Sequence, residues 1–265
     1  MKSVRMIGLV LGLLLGASAA SAQGQARAEP GPDEAHRLLT AARLATGGPA
    51  WEQLHLLHER FKVAAGGLDG TVESWADPAH GRYSSRYVLG PDRGAEGWDG
   101  HGSWTADWSG RVHRFDDKAE NGTAVWQSFA YLFPERNGFA VHALGRRRDE
   151  SGRNFEVVRM MPPGGAQVEL WLDAETNLPG RIVVKGATDF IVTLADYRDI
   201  QGVKLPGTVR ASTGLLRYDH VTSLDSAEID PAAAGDPFAA PAPAPVDYRF
   251  APGETRSTSL LTPNG

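Results

Sequence analysis

From about residue 55 the apolar positions recur every second residue. Leu57, Phe61 and Val63 alternate with His58, Arg60 and Lys62, as in a strand with one buried face. Val72 and Trp75 lie beside the turn pair Asp69-Gly70. Tyr83, Tyr87 and Leu89 sit in a run that ends at Gly90-Pro91. Trp98-Asp99-Gly100 and Trp108-Ser109-Gly110 mark two more turns, with short strands around Trp104 and over Val112 to Phe115. Such spacing predicts a meander of antiparallel strands. Two stretches break the period. Leu38, Leu39, Ala42 and Ala45 recur at helical spacing behind Asp33, and Gly47-Gly48 supplies a stop, which predicts a helix over 33–46. A short helical turn follows at 49–54, with Pro49 in its first position. Val125, Phe129 and Phe133, with Trp126 and Ala130, form a second helical stripe between Asn121 and Pro134, predicting a helix over 121–133.

After Pro134 the two-residue period returns. Strands are predicted at Val157 to Met161 and Val168 to Leu172, around a Pro162-Pro163-Gly164-Gly165 hairpin. Others fall at Ile182 to Val184, Phe190 to Leu194, Val203 to Val209 and Leu215 to Val221, with a turn at 173–177. About ten strands and two main helices predict a mainly β (α+β) fold. Its form is a single curved antiparallel sheet, a half-barrel, with both helices packed on one face.

The ends of the chain differ from its middle. Lys2 and Arg5 precede an apolar run, Met6 to Gly16, that is too short to span a bilayer, and Ala20-Ser21-Ala22 follows. Residues 1–22 therefore read as a signal peptide, with cleavage expected before Gln23 and export to the periplasm or beyond. Residues 23–32 form a polar leader and 33–241 the folded domain. Residues 231–265 carry seven of the seventeen prolines. Ala-Pro alternation at 240–245 favours extended geometry, so 242–265 is expected to be a linker or disordered tail. The final Asn264-Gly265 is a hairpin signal with no second strand after it. Either a frayed end or the front part of a longer protein is expected.

Charge and composition remove several classes. Taking away residues 1–22 removes two basic residues and no acid, leaving 25 basic against 32 acidic residues, a net −7. The one basic run, Arg146-Arg147-Arg148, is followed by Asp149-Glu150 and reads as a solvated strand end, so nucleic acid is not an expected partner. The chain has no cysteine, which excludes thiol nucleophiles, thiolate metal sites and a lipid anchor on Cys. There is no Gly-x-Ser-x-Gly, His-Glu-x-x-His, P-loop, or Asp-Thr/Ser-Gly turn. No catalytic residue, cofactor or metal is predicted. His55 and His58, and the trio His101, Asp107 and His113, are the best metal candidates, and both sets read better as ordinary strand and turn residues. The aromatic cluster carries more. Trp75, Tyr83, Tyr87, Trp98 and Trp104 fall within one meander, where alternate rings can line a concave face and accept an acyl chain, a lipopeptide or an extended peptide. Packing beneath the second helix is the competing fate of these rings.

Five spread-out motifs carry a resemblance. They are Ala45-Thr46-Gly47-Gly48-x-Ala50-Trp51, Gly70-x-x-x-x-Trp75, Gly97-Trp98-Asp99-Gly100-x-x-x-Trp104, Leu170-Trp171-Leu172-Asp173-x-x-Thr176-x-Leu178-Pro179 and Asp196-Tyr197-Arg198-x-x-x-Gly202-Val203-x-Leu205-Pro206. Together, over about 33–245, they resemble the non-catalytic N-terminal module of exported bacterial retropepsin-like aspartyl proteases. They are also similar to the half-barrels of LolA/LolB-type lipoprotein-sorting proteins. The first resemblance implies a periplasmic binding module associated with a protease domain that this sequence lacks. The second implies a stand-alone carrier of lipid or lipoprotein acyl chains. No Asp-Thr-Gly is present, so no catalytic residue carries over.

Overall fold

The computed structural model describes residues 31–115, 121–214 and 219–243. The signal peptide, nearly all of the leader, the linker from 244 onward and residues 215–218 of one predicted strand lie outside the described residues. Helix α1 (Pro32–Thr46) starts with Pro at its first turn and Asp33 and Glu34 beside it, where acids favour the positive end of the helix dipole. Its buried face is Ala35, Leu38, Leu39, Ala42 and Thr46. Gly47 follows at φ 142°, and a Cβ there would stand 2.5 Å from the Gly202 carbonyl oxygen. Only glycine fits both the angle and the approach. A short α2 (Pro49–Gln53) folds back, and the buried Trp51 indole donates to the Thr46 carbonyl at 3.0 Å.

Fourteen of the strands lie in two runs of hairpins. The first run is β1 (Leu57–Ala65), β2 (Leu68–Asp77), β3 (Arg82–Leu89), β4 (Asp92–Trp98), β5 (Ser103–Ala106) and β6 (Val112–Phe115). The second is β7 (Ala140–Arg148), β8 (Asn154–Met161), β9 (Val168–Asp173), β10 (Pro179–Val184) and β11 (Phe190–Ala195), then a separate hairpin β12 (Arg198–Ile200) and β13 (Val203–Leu205), then β14 (Thr208–Ser212). The last strand, β15 (His220–Ile229), inserts between β1 and β14 and joins the two runs. The result is one antiparallel sheet of thirteen strands in the order β6-β5-β4-β3-β2-β1-β15-β14-β11-β10-β9-β8-β7. It is open, with β6 and β7 at its edges. The mainly β expectation therefore holds, with one large antiparallel sheet.

Two local expectations are corrected. The predicted 121–133 helix is not continuous. Helix α3 (Asn121–Gln127) stops, and a 3₁₀ turn over Ala130–Leu132 follows. The Ser128 hydroxyl bonds back to the Ala124 carbonyl, and Phe129 takes a left-handed φ of 59°. Serine competing for a backbone acceptor and a left-handed residue both end a helix. Val125, Phe129 and Phe133 still reach the core, but through a bent path. The predicted 203–209 strand is also two strands. Pro206 lacks an N–H, and Gly207 sits so near Asp196 that a Cβ would be 2.3 Å from its carbonyl oxygen.

The core lies between the inner face of the sheet and these helical segments. Leu38, Leu39, Trp51, Leu57, Phe133, Met160, Leu170 and Leu205 are among its buried members. Beyond β15, the outer face is covered by the segment around Phe238. The Trp104 indole donates to the Phe238 carbonyl at 2.9 Å and the Ser84 hydroxyl to that of Pro237 at 2.8 Å.

Candidate apolar binding site

Successive strand residues point to opposite faces, and residues paired across strands share a face. Register therefore sorts the first meander. One set of rows reads Glu59–Ser74–Ser85–Glu96 and Phe61–Val72–Tyr87–Gly94. The alternate row reads His58–Trp75–Ser84–Gly97–Trp104. The first set faces inward, toward α3 and the 3₁₀ turn. The second faces outward, where Pro237 and Phe238 lie on it.

Inward-facing residues of both runs surround a cavity of about 480 Å3. Phe61, Val63, Val72, Tyr87 and Leu89 come from the first run, and Ile182, Phe190, Leu194 and Val209 from the second. Thr123, Trp126, Gln127, Phe129 and Tyr131 close it from the helical side. Tyr87 on β3 and Ile182 on β10 are six strand spacings apart in the sheet order. In a flat sheet, at about 4.8 Å per spacing, they would be separated by roughly 29 Å. That both line one cavity shows that the sheet curves around it.

The wall is mostly aliphatic and aromatic, with a polar row at one level. Glu59 is 3 % exposed, and its Oε1 has no hydrogen-bond partner. Burial pushes its pKa up to about 8. The buried Tyr131 hydroxyl is pushed up as well, first by burial and then by the Glu59 charge. Gln127 Nε2 donates to Glu96 Oε1 at 3.0 Å. The Trp126 indole nitrogen is buried and has no hydrogen-bond partner. No lysine or arginine is among the described residues of this wall. Such a site can strip water from an apolar chain and offer hydrogen bonds at one level of its wall.

The five sequence-predicted aromatics are divided by the pleat. Tyr87 lines the cavity; burial raises its pKa, and Asp92 adds to the effect. Tyr83 shares the inner face but is itself packed away at 5 % exposure. Trp98 lines a neighbouring recess of about 180 Å3, beside Ala124 and Val125. Trp75 lies on the outer face, its ring stacked on His58 at 3.9 Å. Trp104 is on that face too, buried beneath Phe238. Glu59, Trp126, Phe61 and the β10, β11 and β14 contributions were not foreseen. A signal for Glu59 was present: a lone acid occupies the apolar phase between Leu57 and Phe61. Among the described residues, no group of three or more His, Asp or Glu could hold a metal ion, and no helix is long and apolar enough to cross a membrane.

No family model matches the chain, and no curated protein matches it in sequence. Solved structures do match its fold. A LolA-superfamily protein from Nitrosomonas europaea aligns at 12% identity with a TM-score of 0.52, covering 75% of this chain and 94% of that one. A domain from Vibrio parahaemolyticus, assigned to outer-membrane lipoprotein sorting, aligns at 9% identity and TM-score 0.51 over 75% and 93% of the two chains. A DUF1329-family protein from Desulfovibrio piger gives 11% identity and TM-score 0.50 over 74% and 93%. At such identities the likeness is one of fold: an open antiparallel sheet of the LolA type. It falls on the lipoprotein-sorting side of the resemblance read from the motifs, and the protease side gains no support from it.

Proposed function

We propose that the protein is an exported, non-enzymatic carrier that shelters the acyl chain of a lipid or lipoprotein between its curved sheet and its helical segments. The apolar cavity of about 480 Å3 carries this reading. Its size lies in the range of roughly 300–1,000 Å3 usual for small-molecule sites. The LolA-like fold supports the same reading, because the similar structures include a lipoprotein-sorting domain. The basic, apolar and small-residue pattern of residues 2–22 supports export. Of the five aromatics singled out in the sequence, Tyr87 is the one this reading assigns to ligand contact.

Diphenylhexatriene, a hydrocarbon whose fluorescence rises in apolar surroundings, tests the proposal. The protein should take it up in one saturable phase and release it to long-chain acyl ligands. Val209→Trp, which drives an indole into the cavity, should weaken uptake about tenfold or more. No uptake by the wild-type protein, or full uptake by Val209→Trp, would refute the carrier reading.

A further inference from the structure

Two residues of the cavity wall each carry a polar atom that stands out from the rest. Glu59 Oε1, on β1, and Trp126 Nε1, on α3, are both buried and both lack a hydrogen-bond partner. The large majority of buried side-chain polar atoms in native proteins are paired. Both residues line one cavity from different elements, so a small turn of either side chain would present its unpaired atom to a ligand seated there. Their chemistry limits what it can be. An indole N–H only donates, so it asks for a lone pair. A carboxyl held neutral by burial, as Glu59 is, donates through its O–H and accepts through its carbonyl. Ser74 and Ser85 continue the same row toward Glu96, which already accepts from Gln127.

Among the described residues, the remaining titratable groups on the wall are Glu96, Tyr87, Tyr131 and His220. None of them supplies a permanent cation. A carboxylate or phosphate seated here would share the wall with Glu96 and, among the described residues, meet no lysine or arginine to offset its charge. A bare hydrocarbon would leave both orphans unpaired. An ester or amide carbonyl, or a hydroxyl, has the lone pair that an indole N–H and a neutral carboxyl both ask for.

We propose that the cavity takes an uncharged amphiphile, and that Glu59 and the Trp126 indole bind the ester, amide or hydroxyl group attached to its apolar chain. This rests on the carrier reading and adds to it the chemistry of the head group.

The test displaces diphenylhexatriene from the purified protein with matched twelve-carbon ligands at neutral pH. 1-Dodecanol and N-methyldodecanamide should displace it at concentrations about tenfold or more below those needed for dodecanoate. Glu59→Leu should lower that ratio several-fold by weakening the neutral ligands, whereas Glu59→Gln, which still hydrogen-bonds, should preserve it. Trp126→Phe keeps the ring's place but loses the donor, and should weaken amide binding several-fold. Should Glu59→Leu not fold, Trp126→Phe and Glu59→Gln decide the matter. Wild-type protein that binds dodecanoate as tightly as the neutral ligands overturns the inference while leaving the carrier reading intact. So does an amide preference unmoved in Trp126→Phe. If diphenylhexatriene itself is not taken up, the carrier reading fails, and this inference fails with it.

Discussion

At the scale of single residues, Glu59 sets folding against binding. An acid in the apolar phase of a strand costs stability, and the fold meets that cost by keeping the carboxyl neutral. Its pKa rises from the ordinary 4.5 to about 8 through burial. Between those values the folded chain holds a proton that the unfolded chain has released. Stability from the neutral form is therefore complete below about pH 4.5 and declines as pH rises toward 8. At about 1.36 kcal/mol per pH unit the whole span is at most about 5 kcal/mol, and water in the cavity lowers it. Glu59→Gln should lose this slope. Its melting temperature should fall less than that of the wild type between pH 5 and about pH 8.5. Parallel slopes for the two proteins would mean that Glu59 is already ionised in the fold. The phase of Glu59 was legible in the sequence, between Leu57 and Phe61. Its burial was not, because that depends on Trp126, Tyr131 and the far half of the sheet.

At the scale of elements, the hairpins were the most legible part, because their turns are made by local chemistry. Asp99 accepts the His101 and Gly102 amides, each at 2.9 Å, and Asp173 accepts those of Glu175 and Thr176 at 3.1 and 3.0 Å. Such contacts need only neighbouring residues, so the residue types announce them. The division of the aromatics followed from the same alternation once register was known. Trp75 and Trp104 fall in the outward row, and Tyr83, Tyr87 and Trp98 in the inward one. A cluster within one meander thus spreads over two faces. Trp104 serves an element rather than the cavity, since it ties the Phe238 segment to the outer face. Arg82 strengthens this contact, with its guanidinium 4.4 Å from the Phe238 ring centre. Trp104→Phe would keep most of the packing but leave the Phe238 carbonyl without its donor, at a cost of about 1–3 kcal/mol. Limited proteolysis should then cut near residues 231–243 faster than in the wild type. Unchanged cutting would mean that this segment is held by other contacts.

At the scale of the whole molecule, β15 decides whether there is one body or two. Strands β1–β6 and β7–β14 are each built from local hairpins, and β15 is the strand that hydrogen-bonds to both runs. This pairing brings residues far apart in sequence side by side, as in Leu57 opposite Ile229, 172 positions later. No local pattern encodes such a contact, so only the hairpins and the sheet's antiparallel character could be read beforehand. The core crosses the same seam: Leu57 and Leu224 belong to one cluster with Leu170, Val192 and Val209. Arg198 adds a bond from the β12–β13 hairpin to the Leu224 carbonyl at 2.8 Å. Both halves should therefore unfold together. Trp98 and Trp104 report on the first run and Trp171 on the second, so tryptophan fluorescence samples both, while far-ultraviolet circular dichroism follows the sheet. In urea the two signals should trace one coincident transition. Leu224→Ala removes a buried side chain at the seam, and should move that single transition down by about 2–5 kcal/mol without splitting it. Two separated transitions in the wild type, or a Leu224→Ala protein in which one half melts early and the other keeps its midpoint, would show two independent bodies sharing a strand. The cavity, whose wall is drawn from both, would then have to form after each had folded.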